Sequence, residues 1–201
     1  MKKIEVSELQ GPLTEFMQQL SGENGRKRFD EFKLWLKNVT VVVIQDLIDL
    51  SVPCRLPFDG AERVSPPKPL PESGDVKFES CNGDLYLDGK KLELFLSEKQ
   101  QGSKVIGGHD LRKELEARGG NISAKVLDHL VDHPQMWPDS WKKDAQGRTV
   151  YIYFWDDIFH NPANGSLYVR YGYWDEGKVV SDYSWLGNDW GVNDPSASLA
   201  S

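Results

Sequence analysis

Twelve of the chain's twenty-two aromatic side chains fall between residues 149 and 190, set in alternating rather than helical patterns. Tyr151, Tyr153 and Trp155 share one face of an extended segment, and Ile152, Phe154 and Asp156 share the other. In a second segment Leu167, Val169, Tyr171 and Tyr173 oppose Tyr168, Arg170 and Trp174. Turn residues around Asn161, Pro162, Asn164 and Gly165, and again Glu176-Gly177, separate these from a third segment at 178–186. Period-two apolar runs between such turns predict a three-stranded antiparallel meander. Both of its faces are apolar, so one serves as core and the other is either covered or used for recognition.

Charge narrows the choice of ligand. The chain of 201 residues carries a formal charge of −7, and from residue 149 onward only Arg170 and Lys178 face seven carboxylates. Aromatic platforms that stack nucleic-acid bases come with positive grooves, so this composition argues against nucleic acid. No run approaches the roughly 20 apolar residues of a membrane span. Lys2 and Lys3 precede no apolar segment, which argues against a secretory signal. The two cysteines, Cys54 and Cys81, lack metal-ligand spacing and are expected to be reduced thiols in a cytoplasmic protein.

Upstream, residues 1–52 read as a helical unit. Leu13, Phe16, Met17 and Leu20, then Phe29, Phe32, Leu36 and Val39, recur at helical spacing. The β-branched run 39–44 fits a strand or a buried helix equally. Six of the eleven prolines (Pro53, Pro57, Pro66, Pro67, Pro69 and Pro71) crowd the next stretch, which reads as a linker over 53–74. An α+β unit over 75–201 follows. Asp88-Gly89 predicts a hairpin between 84–87 and 91–96. One short helix is expected from His109 to Arg118 with Leu111 and Leu115 inward. A second, capped by Ser123, is expected to bury Val126, Leu127, Leu130 and Val131 and to end before Pro134.

Catalytic signatures are sparse. His129 and His133 lie four apart on the second helix, a spacing that can bind zinc, but no Glu follows His129 as in a metalloprotease. Both histidines fall off the apolar face, which predicts a solvated pair and leaves a metal as the alternative. Gly107-Gly108 at a helix start lacks the remainder of any phosphate-binding pattern. The Asn-Asp pairs Asn188-Asp189 and Asn193-Asp194 between and after tryptophans do not match a calcium loop, and read as turns closing a C-terminal loop. No cofactor is indicated.

The segment 106–113, the helix at 124–134, residues 137–142 and the meander from Tyr151 through Tyr171 to Leu186 resemble a module in conserved hypothetical proteins of uncultivated, candidate-phylum bacteria. The likeness covers roughly residues 100–201 and implies a discrete module without assigning an activity. The tail rich in Trp, Tyr, Asn and Asp resembles the ligand-facing ends of C-type-lectin-like variable proteins, but carries neither their disulfide pair nor their calcium motif.

The sequence therefore predicts an α+β protein in which N-terminal helices, a hairpin and two short helices pack on a C-terminal aromatic meander. Its leading functional reading is a non-enzymatic module that recognises a protein or glycan through Tyr168, Arg170, Trp174, Tyr183, Trp185 and Trp190. Aromatic and Arg side chains are the usual anchors of such surfaces. A hydrolase using carboxylates or a metal on His129 and His133 is the second reading, and a self-associating structural subunit is the third.

Overall fold

A computed structural model describes residues 44–64 and 74–200, all within a compact unit that begins at Val43. The helical patterns at 11–39 and most of the 39–44 run lie outside the described residues. The described part contains eleven strands and two α-helices: β1 (Ile44–Asp49), β2 (Glu62–Arg63), β3 (Asp75–Cys81), β4 (Asp84–Leu87), β5 (Lys90–Phe95), β6 (Ile106–Gly107), α1 (Gly108–Arg118), α2 (Ala124–Asp132), β7 (Ile152–Asn161), β8 (Ser166–Asp175), β9 (Lys178–Trp185), β10 (Asp189–Trp190) and β11 (Ser196–Leu199).

The expected meander is present as β7–β8–β9, but it is one flank of a nine-stranded sheet ordered β1-β3-β4-β5-β11-β7-β8-β9, with β2 also on β7. Every strand pairing in this sheet is antiparallel except β11 on β7, which is parallel. The sheet thus dominates the unit. The expected hairpin is β4–β5, turned at Asp88 (φ 50°) and Gly89 (φ 73°), which supply the two positive φ values a tight hairpin needs. Ser123 accepts the Lys125 N–H at 3.1 Å and caps α2 as its side chain suggests.

The helices cover opposite faces of the β7–β9 flank. On one face α2 buries Val126, Leu127 and Leu130 against Ile152, Phe154, Trp137 and Val179. Gly172 on β8 makes this approach possible: a Cβ there would come within 2.5 Å of Leu127 Cδ1 and 3.2 Å of Trp137. On the other face Leu111 and Leu115 of α1 pack with Tyr153, Trp155, Ile158, Val169 and Trp190. Gly108 has the matching role here, since its Cβ would meet the Trp190 ring at 2.2 Å. Gly108 thus makes room for an indole.

Two boundaries differ from those the composition suggests. The unit read as helical to residue 52 already contributes a strand, β1, which pairs with β3 from Ile44↔Ser80 to Asp49↔Asp75. The first part of the proline-rich stretch, 53–63, is no free linker. Cys54 and Ala61 are buried, β2 pairs with β7, and the peptide of Arg55 is gripped from both sides. Its N–H donates to Asp128 Oδ2 (2.7 Å), and its carbonyl accepts from Arg170 Nη1 (2.9 Å). Proline-bearing chain cannot complete a sheet ladder, so side chains from α2 and β8 satisfy its backbone instead.

Candidate functional site

The six residues picked out by the aromatic pattern separate into three groups. Trp190 is 1% exposed and belongs to the core under α1. Arg170 is 4% exposed and forms a buried ion pair with Asp128 (2.8 Å) while donating to Ser181 Oγ (2.7 Å) and the Arg55 carbonyl. Neither reaches a partner's surface, and both are structural. Tyr168 and Trp174 are half-buried, the latter with Lys142 Nζ 3.9 Å from its ring centre. Only Tyr183 (38%) and Trp185 (48%) are exposed.

These last two share a face of the edge strand β9. Tyr168 pairs with Trp185 and Arg170 with Tyr183 across β8–β9, so Tyr168, Tyr183 and Trp185 stand on one face. Phe58, from the proline-bearing strap, closes an edge-on cluster with Tyr168 (5.2 Å) and Tyr183 (5.1 Å). Trp185 turns back over Gly187, where a Cβ would fall 2.4 Å from Cζ2 of the indole. The ring is thereby braced against backbone on one side. Nearby, Asn188 Nδ2 donates to Ser184 Oγ (3.1 Å).

A second constellation lies at the far end of α2. His129 and His133 stack with ring centres 4.2 Å apart and 25° between planes, as i,i+4 side chains do. His129 is not the solvated residue its place on the helix suggests. It packs edge-on to Phe78 (5.3 Å), and its Nε2 is buried without a hydrogen-bond partner. Burial, and then His133, lower its pKa, so the ring is neutral at pH 7. His133 donates from Nδ1 to the His129 carbonyl (3.0 Å), which leaves its Nε2 facing outward. Both Nε2 atoms face Asp46 Oδ2 on β1, at 3.5 and 3.6 Å. Asp46, His129 and His133 thus bring three donor atoms within 4.8 Å of one another. Sequence spacing points to the two histidines, whereas Asp46 is brought to them only by the packing of β1 against α2. The only local signal for it is an acid two residues before Ile48, hence on the same face of the strand.

A cleft of about 220 Å³ also opens beside α2, lined by Leu50, Cys54, Arg63, Ile122, Ser123 and Asp157 among others. Its ionisable groups are engaged. Asp157 is carried there by an irregularity in β7, where the register to β8 jumps between Phe154 and Ile158. It accepts from Ser123 Oγ and the Ala124 N–H (both 2.7 Å) and pairs with Arg63, closing the N-terminus of α2. Burial, reinforced by the charge of Asp157, pushes the Cys54 thiol up to about 12, so it is no nucleophile at neutral pH. Both cysteines are free thiols.

The C-terminal Asn and Asp residues act as loop ties. Asp194 Oδ2 accepts the Gly191 N–H (2.8 Å), and Asn193 donates to Asp144 and to the Thr149 carbonyl. Buried Gln100 donates to the carbonyls of Gly191 and Asp194. Among the described residues, no helix is long and apolar enough to cross a membrane.

Comparison with protein-family models, curated proteins and solved structures finds no match for this chain. Side-chain geometry therefore carries the functional reading.

Proposed function

We propose that this protein is a non-enzymatic recognition module that takes a glycan on the Trp185 end of its sheet. One observation carries the reading: an indole 48% exposed is held against the backbone of Gly187, on the face of β9 that also carries the exposed Tyr183. A braced ring loses little freedom on binding, and its electron-rich face attracts the polarised C–H bonds on one side of a sugar ring. Two exposed rings are small beside the roughly 800 Å² per partner of a stable protein interface, but they match one or two sugar units. The acidic surroundings, with seven carboxylates against two basic groups from residue 149 onward, favour a neutral ligand rich in hydroxyl donors.

Affinity electrophoresis through gels containing neutral polysaccharides tests this. Wild-type protein is expected to be retarded by at least one of them. Trp185→Ala is expected to migrate as in a blank gel with an unchanged Tm, because the ring lies outside both cores. Absence of retardation throughout the panel, or retardation that survives Trp185→Ala, would refute the reading. In that case a protein partner or a second copy of the chain becomes the occupant to seek.

A further inference from the structure

We infer that Asp46, His129 and His133 form a zinc site that fastens β1 to the last turn of α2. The inference is independent of the glycan reading, since it uses other residues on other elements.

The geometry suits the metal. Zinc held tetrahedrally by bonds of about 2.0–2.1 Å places its donor atoms roughly 3.3 Å apart. The carboxylate oxygen of Asp46 lies 3.5 Å from Nε2 of His129 and 3.6 Å from Nε2 of His133. These separations are long for hydrogen bonds and become two edges of a coordination tetrahedron once the two stacked imidazole rings turn to converge on one point. Two imidazoles and one carboxylate are a borderline donor set of the kind zinc takes in open sites.

Hydrogen bonding around the cluster is also that of a metal site. The Nδ1–H of His133 is committed to the His129 carbonyl, the orienting hydrogen bond that metal-binding histidines make, so its Nε2 is the atom turned toward the Asp46 carboxylate. His133 Nε2 and Asp46 Oδ2 face each other at 3.6 Å, a separation that a shared cation would bridge. The Nε2 of His129 is buried and has no hydrogen-bond partner, yet it points at the same oxygen. The pair also sits at the C-terminal end of α2, where the carbonyl end of the helix favours positive charge. Asp46 and His133 have side chains 42% and 39% exposed, so the cation can enter and its remaining position faces water.

β1 is an edge strand whose only strand partner among the described residues is β3. A cation shared between Asp46 and α2 would tie it directly to the helix. The site therefore has a structural output even where its open position is unused.

The test uses the full chain, freed of metal by chelation and then titrated with zinc by calorimetry and with Co²⁺ by visible absorption. The expected result is one zinc per chain, intense Co²⁺ bands of a low-coordinate N,N,O site, and a Tm that rises with zinc. Removing a ligand should cost more than the roughly 10- to 100-fold lost when an outer-shell partner is removed. Asp46→Asn and His133→Ala should each reach that loss while keeping the wild-type circular dichroism of the metal-free protein. His133 is partly exposed and Asp46→Asn is nearly isosteric, so both variants are expected to fold. Failure of the wild type to bind zinc stoichiometrically would overturn the inference and leave a histidine–carboxylate ion pair only. Undiminished binding by the Asp46→Asn/His133→Ala double variant would place the metal elsewhere and also overturn it.

Discussion

Replacing Asp128 by Ala tests the most deeply buried electrostatic contact that locks the proline-bearing strap to the sheet. Asp128 and Arg170 have side chains 6% and 5% exposed and stand 2.8 Å apart. Between them they hold the Arg55 peptide by its N–H and its carbonyl. Removing the carboxylate leaves a guanidinium buried without its counter-charge and strips the Arg55 N–H of its acceptor. Breaking a buried pair on one side costs about 3–5 kcal/mol. For a unit of this size each kcal/mol moves Tm by about 2–4 °C, so Asp128→Ala should melt roughly 6–20 °C below wild type. Urea unfolding followed by circular dichroism gives the free energy directly. The double variant Asp128→Ala/Arg170→Ala should lose less than the sum of the singles, because the second change removes the charge the first one orphaned. A loss under about 1 kcal/mol for Asp128→Ala, or strictly additive singles, would mean that the pair is solvated and that Arg170 is free to act as the surface contact its position in the aromatic pattern suggests.

Other expectations follow from single contacts. Gly172→Ala drives a methyl into Leu127 and Trp137 and should cost about 1–3 kcal/mol by overpacking, read from the same urea curves; a neutral effect would show that α2 can shift away. Of the two thiols, half-exposed Cys81 should react with a disulfide reagent in the native protein at pH 8, while Cys54, buried and pushed up to about 12, should react only on unfolding; two fast thiols would contradict the packing of the strap. Burial raises the pKa of Asp144, but hydrogen bonds from the Arg148 backbone and side chain, Gln146 and Asn193 outweigh it and hold the group near 2. Its contribution should therefore be present above about pH 4 and fade as the pH falls toward 2, with the Gln146 and Arg148 amides losing protection relative to their intrinsic exchange rates there. A carboxyl midpoint near 4 by NMR would show that those bonds are absent in solution.

The elements most readable in the sequence are those whose signals are local. The alternation in 151–155 and 167–174, the turns at Gly165 and Gly177, the Asp88-Gly89 hairpin and the Ser123 cap each act within a few residues, and each corresponds to an observed element. Asn82-Gly83 carries an equally local hairpin signal for β3–β4, with φ of 56° and 81°. What resisted reading depends on distant partners. β1 is Ile-Gln-Asp-Leu-Ile-Asp, with Leu47 at 59% exposure and Ile48 buried, an edge pattern too weak to register without β3 beside it. The strap at 53–63 has linker composition because prolines suit extended chain, and nothing nearby reveals that Asp128 and Arg170 will grip its backbone. Trp190 looks available for contact until Gly108, far upstream, is seen to vacate the space for its ring. The paired histidines are visible as a spacing, while the carboxylate opposite them emerges only once the sheet is assembled.

β11 lies between β5, which it joins in antiparallel register from Ser196↔Phe95 to Leu199↔Leu92, and β7, which it meets in parallel at Ser196↔Tyr153. During synthesis, then, the β1-β3-β4-β5 flank emerges first and the β7-β8-β9 flank only near the end, each with a strand edge of unpaired amides and carbonyls. Neither edge is sealed until residues 196–199 emerge. The β5 edge therefore waits through the synthesis of about a hundred residues, from Phe95 to Ser196, before its partner strand arrives.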